Sequence, residues 1–378
     1  MSKIILIPLI ISLLFLQSCA VQSFEQNLDV KRSPNAFNDK VDSIVINQMN
    51  KSNIPGLSIG LIRNDSIIYS KGYGVRSILN ENPVTENSIF HTASISKLFT
   101  AVAIMKLVEG GEISIDDKLI DIVPELEYDD VRAKDITIKN LLNHTSGLPD
   151  IGNYHWDNNN QSNSSLQNYI LGLKIKLDFA PSSKYHYSNL GYDILGYVIE
   201  IVSGSNFDDY LKENVIDKSG MYSSAFRFYN IANSLKTAPH SKRWLTKKIF
   251  VRKTYPYTRE HAPSSTLNAS SKDLSKWMIS FIQTLDDSNL NAGYLPMTEP
   301  SFSIYPYIGY GFQLSEINGN KTIGHYGGDR GFRSYLIMIP EEKIGLVLLA
   351  NCDYNEDFRQ NILHPIAKLM LSTYENSQ

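Results

Sequence analysis

Runs of strand character stand at both ends of this chain with a long helical stretch between them, and that order constrains the fold more than any other feature. Segments 57–63 and 67–75 are apolar and separated only by Asn64-Asp65, which predicts a β-hairpin. Near the other end, 332–339 and 344–350 are apolar runs joined across Pro340-Glu341-Glu342-Lys343, and 357–374 then has the character of a final helix. Periodicity permits these distant strands to join one antiparallel sheet with helices packed on it, without requiring it. With 378 residues, 42% hydrophobic and 20% charged, the chain has the material for a large core or two domains. A formal net charge of -3 gives no global attraction to nucleic acid or to anionic membranes.

The N-terminus speaks to location. Lys3 precedes an apolar run over 4–15, followed by Leu16-Gln17-Ser18-Cys19. About a dozen apolar residues are too few to span a bilayer and match a signal-peptide core. Leucine and a small residue before cysteine resemble a bacterial lipoprotein signal. The expectation is therefore a signal peptide over 1–18, a lipidated Cys19, and a polar tether over 19–38 on an exported, membrane-anchored protein facing the periplasm or cell surface. Gln17 departs from the commonest form of that box, and a plain secretory signal is the alternative. With Cys19 lipidated, only Cys352 remains and no internal disulfide can form. Cys352, at the end of an apolar run, has the setting of a small buried strand residue rather than a nucleophile.

Three elements carry chemistry. Ser94-Ile95-Ser96-Lys97 heads a stretch in which Leu98, Ala101, Val102, Met105 and Val108 recur at helical spacing, with Gly110-Gly111 as a stop. Ser94, the only serine followed three residues on by lysine, thus shares a helix face with Lys97. A serine hydroxyl needs a nearby base or cation to become a nucleophile, and a lysine packed beside it in a dry site supplies one. Taken alone, the pair is also what a helix cap followed by a surface lysine would give. The second element, Tyr187-Ser188-Asn189, puts a phenol and a carboxamide just before the apolar helical run 194–199. The third, His325-Tyr326-Gly327-Gly328, follows a strand-like segment and a turn, and its glycines let backbone approach a substrate closely. Lys218-Ser219-Gly220 imitates a third element of lysine-threonine-glycine type, but it follows a helical stretch over 207–216, so Gly220 has the position of a helix C-terminal residue. The eight histidines show no metal-ligand spacing, and His144 has the setting of a structural residue.

This ordered set resembles the serine β-lactamase and penicillin-binding-protein superfamily, in its class C β-lactamase, D-alanyl-D-alanine carboxypeptidase and esterase branch. The likeness extends over nearly the whole mature chain, through Ile54-Pro55-Gly56-Leu57-Ser58-Ile59-Gly60, Leu141-Leu142-Asn143-His144-Thr145-Ser146-Gly147-Leu148-Pro149 and Gly327-Gly328-Asp329-Arg330-Gly331-Phe332-Arg333-Ser334. It implies an α+β fold: an antiparallel sheet flanked by helices, formed by 39–112 with 262–378, and a second, mostly helical domain over 113–261, the active site lying between them. It further implies Ser94 as nucleophile, Lys97 and Tyr187 sharing proton transfer, and Asn189 orienting the substrate amide. The oxyanion hole maps to the N–H groups of Ser94 and Gly328, and His325 is expected to add hydrogen bonds, and positive charge when protonated, to the Lys97 and Tyr187 network. No cofactor and no metal are implied.

Histidine in place of lysine in the third element leans toward peptidase and esterase members. The expected substrates are D-amino-acid peptides, such as a peptidoglycan stem peptide, or small esters. β-Lactam hydrolysis and a non-turnover penicillin-binding sensor are the alternatives. Ser265-Thr266 stand where relatives often show paired glycine, which leaves the pocket shape there open. The segment 153–165, rich in Asn and Ser, is expected to be a mobile loop, with a lid over the cleft as the sharper alternative. The basic, aromatic segment 240–261 is expected to be a solvated insertion, with a face for wall glycan or lipid headgroups as its alternative.

Overall fold

The computed structural model describes residues 34–288 and 291–375. The expected signal peptide and Cys19 lie outside the described residues, as does the tether up to residue 33. Residues 34–38, assigned above to the tether, instead open the first helix. The helices that matter here are α1 (Pro34–Ser52), α2 (Ser96–Glu109), α3 (Asn189–Ser203), α4 (Ser271–Asp286) and α5 (Phe358–Glu375). The main sheet has strands β1 (Gly56–Arg63), β2 (Ser66–Gly74), β3 (Gln313–Ile317), β4 (Asn320–Asp329), β5 (Phe332–Ile339) and β6 (Ile344–Ala350).

Its order is β2-β1-β6-β5-β4-β3, antiparallel at every step. The two ends of the chain therefore meet in one ladder, from Leu57 opposite Ala350 to Arg63 opposite Ile344. That join is the expected mixed α/β architecture. It holds because both faces of the central strands are covered. Leu57, Ile59 and Leu61 share a core with Val41, Val45, Ile362 and Ile366 of α1 and α5. On the opposite face Ile62, Val347 and Leu349 join Phe99 of α2 and Trp277 and Met278 of α4. Strands buried on both faces need apolar residues in continuous runs, as β1 and β6 have. The fit of α4 also needs a missing side chain, since a Cβ on Gly60 would stand 2.3 Å from Ser275 Oγ.

Helix α2 is buried on more than one face. Leu98 to Met105 and Leu107 are all buried, because the sheet packs on one side of α2 and the helical middle on the other. Ile136, Leu141, Leu166, Leu195 and Phe207 of that middle belong to the same core as α2. Gly110 caps the helix, and Gly111 at φ +72° turns the chain away. The N-termini of α2 and α3 and strand β4 converge at one place.

Candidate active site

Ser94 sits in a 3-10 turn, Ala93–Ile95, that runs directly into α2. Ala93 has φ +50°, a left-handed conformation that costs a non-glycine residue energy and persists only where its surroundings enforce it. They do so here with hydroxyls. Ser96 Oγ donates to Ala93 O at 2.7 Å and accepts from Leu267 N at 2.9 Å, while Ser334 Oγ of β5 donates to Thr92 O at 2.6 Å.

Lys97, one turn on, is wholly buried, and its Nζ lies 3.2 Å from Ser94 Oγ. It donates to Asn189 Oδ1 at 2.5 Å and to Ser264 O at 2.7 Å. The Tyr187 hydroxyl donates to the same Ser94 Oγ at 2.9 Å. Asn189 cannot turn its amide over, because its Nδ2 donates to both carboxylate oxygens of Asp150, at 2.9 and 3.2 Å. Two oxygens that can only accept thus hold two N–H groups of Lys97. A neutral amine so held keeps its lone pair for the third direction, toward Ser94.

Burial also sets the charges. Desolvation lowers the Lys97 pKa to about 7 against the opposing pull of Asp193, Asp150 and Asp329. The same cause raises that of Tyr187 far above the usual phenol value, so its hydroxyl keeps its proton. His144, at φ +58°, is buried and pushed well down by desolvation and by Lys97. Its ring packs 4.4 Å from that of Tyr187, and its Nδ1 accepts from Ser188 N, which fixes the phenol from behind. Ser188 caps α3 by accepting from Gly191 N at 3.2 Å.

Two assigned roles change. Asn189, expected to orient a substrate amide, has its oxygen on Lys97 and its nitrogen on Asp150, so it positions the lysine. His325, expected to carry charge near neutral pH, is buried in β4, and desolvation together with nearby Lys97 depresses its pKa to about 3. Its Nδ1 donates to Tyr326 O, and its Nε2 is buried without a partner among the described residues. The ring is neutral at working pH and lies 6.1 Å from that of Tyr187. In an NMR titration the His325 ring signals should stay in place from roughly pH 5 to 9, and a midpoint near the usual histidine value would contradict this.

Gly327 is required by the protein itself, since a Cβ there would stand 2.2 Å from Thr92 O and 2.1 Å from Ser334 Oγ. Its close approach is to the turn that carries Ser94, not to a substrate. Gly328 is exposed, and the atoms nearest to a Cβ there would be those of the Arg333 side chain. Gly220 of the imitating element ends a short 3-10 helix at φ +70°, bonded to Lys276 of α4, as its context predicted. Ser265 donates to Asp329, which His91 Nε2 also holds at 2.8 Å.

A cleft of about 300 Å³ opens beside Gly328, lined by Asn153, Tyr154, Trp156 and Arg330 among others. The segment expected to be mobile forms one wall of it and is tied down. Trp156 is buried, Tyr154 stacks on it at 5.0 Å, and Asn160 bonds Glu260 and Arg259. The Arg330 guanidinium lies over the Trp156 ring at 5.3 Å, with no ion pair among the described residues. The other charges of the cleft are engaged, Arg333 with Glu356, Asp353 with Arg252 and Asp329 with His91. Asp150, Ser264 and Arg330 were missed from sequence. Asp150 directly follows the quoted Leu148-Pro149 and gave that one hint, whereas a backbone carbonyl such as that of Ser264 has no sequence signature.

Residues 41–369 match the family model described as Beta-lactamase. The chain is 26% identical over 330 residues to Protein flp of Staphylococcus aureus (strain MW2), covering 85% of this chain and 64% of that protein, so it spans less than two thirds of that relative. It is 26% identical over 315 residues to Penicillin-binding protein 4* of Bacillus subtilis (strain 168), covering 79% of this chain and 68% of the relative. Among solved structures, the octameric penicillin-binding protein homologue from Pyrococcus abyssi superposes with a TM-score of 0.76 at 26% identity, over 89% of this chain and 77% of that one.

Proposed function

This chain belongs to the beta-lactamase family, and from that premise we propose that it is a serine hydrolase that works through an acyl-enzyme. The observation that carries the proposal is the set of acceptors around Lys97. With Asn189 Oδ1 and Ser264 O taking two N–H groups, the neutral amine accepts the Ser94 proton as Oγ attacks a carbonyl carbon. The Ser94 and Gly328 N–H groups stabilise the oxyanion. Lys97 then returns the proton through the Tyr187 hydroxyl to the leaving group as the scissile bond breaks. Neutral again, it takes a proton from the water that attacks the ester carbonyl and gives it to Ser94 Oγ as the C–Oγ bond breaks and the acid leaves.

D-amino-acid peptides and small esters are the proposed substrates, with β-lactams second. A carboxylate beside the scissile bond fits best, because Arg330 offers the cleft its one cation without an ion pair among the described residues. The test is a panel of a chromogenic ester, a D-alanyl-D-alanine peptide and a cephalosporin. Many product equivalents per protein are expected; one equivalent and a stable adduct would mean a binding sensor instead. Arg330→Ala should raise KM for the carboxylate-bearing members by about tenfold or more and leave a neutral ester within about twofold. Equal effects on both would remove Arg330 as a specificity determinant.

A further inference from the structure

The basic segment that the catalytic proposal leaves unused forms a projecting hairpin, His240–Lys242 paired with Ile249–Val251. Its turn is closed by Arg243 N to Lys248 O at 2.9 Å and Lys247 N to Arg243 O at 3.0 Å, with Lys247 at φ +56°. These bonds hold Trp244 and Leu245 outward, 82% and 80% exposed. Two neighbouring large apolar side chains so exposed keep apolar surface in water that burial against a partner would remove.

The charge around them says which. Residues 240–253 contain Lys242, Arg243, Lys247, Lys248, Arg252 and Lys253 and no acid, in a chain whose formal net charge is -3. Arg252 is used inward on Asp353. Lys247 and Lys248 are exposed beside the tip, with no ion pair among the described residues. An indole and an isobutyl group at the apex, ringed by cations, match the layering of an anionic bilayer, where apolar tips enter the acyl boundary and cations meet headgroup phosphates. A soluble polyanion would use the cations and leave Trp244 and Leu245 wet. We propose that this hairpin is a docking tip for an anionic lipid surface.

The base of the hairpin is also joined to the cleft. Asp353 accepts from Ser241 Oγ at the hairpin base and from Gly331 N at 2.9 Å in the β4–β5 turn, and it lines the cleft beside Gly328. One carboxylate therefore ties the base of the hairpin to the rim of the cleft. The inference is independent of the catalytic proposal, and none of the tip residues touches the catalytic groups.

The chain reports on itself, because Trp156 and Trp277 are 8% and 2% exposed and leave Trp244 as the exposed indole of its three tryptophans. Full-length protein is titrated with vesicles of phosphatidylglycerol and phosphatidylcholine in equal parts. Trp244 emission should shift to the blue and be quenched by brominated acyl chains. Pure phosphatidylcholine should give neither effect. The Lys247→Glu, Lys248→Glu double variant should need about tenfold or more lipid for the same shift. The signal is local to Trp244, so vesicle binding through residues 1–33 does not enter it, and Trp244→Phe should remove it. Emission unchanged on anionic vesicles would overturn the proposal. So would a shift given by soluble polyphosphate with no bromine quenching, which would assign the hairpin to a polyanion.

Discussion

Ser94→Ala is expected to abolish covalent labelling by a fluorophosphonate or a penicillin probe, a loss of about 10⁴-fold or more in acylation rate, with Tm unchanged to within a few degrees. The size follows from chemistry. Among the described residues the hydroxyl is the only atom that Lys97 Nζ and Tyr187 OH both hydrogen-bond, so none of these neighbours replaces it. Fold is spared because the turn is held by the side chains of Ser96 and Ser334, not by Ser94. Labelling of the variant at the parent rate, with intact thermal unfolding, would remove Ser94 as the nucleophile.

The second large effect concerns Lys97. Because burial lowers its pKa to about 7, the acylation rate should climb about tenfold per pH unit below that value and level off above it. Lys97→Met should cost about a hundredfold or more and erase that limb. Tyr187→Phe should slow acylation by a similar factor while the limb stays, since the raised Tyr187 pKa leaves the phenol protonated throughout. The opposite pattern, with the limb lost in Tyr187→Phe and kept in Lys97→Met, would make the tyrosine the base.

Stability should follow the same ionisation. In the unfolded chain the amine binds a proton up to its ordinary value of about 10.5, whereas in the folded chain it releases it near 7. The unfolded state thus holds more protons between those values, so the stability of the parent rises with pH across that window. Relative to Lys97→Met, the parent is penalised fully below about pH 7, and the gap closes toward pH 10.5. Denaturant unfolding of both proteins across that range measures it. A gap independent of pH would mean that Lys97 is charged in the folded state.

Much of the fold was legible because its signals are local. The runs 332–339 and 344–350 are the observed β5 and β6 to the residue, and the hairpin is right to within one position at each end. Ser94 and Lys97 meet because three residues along a helix is one turn. Helix α2 was legible as a helix, but its spacing shows which positions are apolar and not how many layers pack around them. The loop 153–165 was misjudged as free, since its composition is that of a loop while Trp156 and Asn160 anchor it through distant partners.

The sequence by itself determined the separate strand and helix runs and the three motif segments, because apolar periodicity and motif spacing are properties of neighbouring residues, while the joining of those strands into one antiparallel sheet entered only through the family resemblance. Only the tertiary structure decided what those residues do. His325 loses its charge, and the Lys97 pKa falls to about 7, through desolvation that depends on everything packed around them. Asn189 turns from substrate to lysine because Asp150, on another segment, fixes its amide. Trp244 and Leu245 differ from every buried apolar pair in the chain only in having no layer above them. Charge state, amide orientation and exposure are set by contacts between segments far apart in sequence, and no local pattern encodes them.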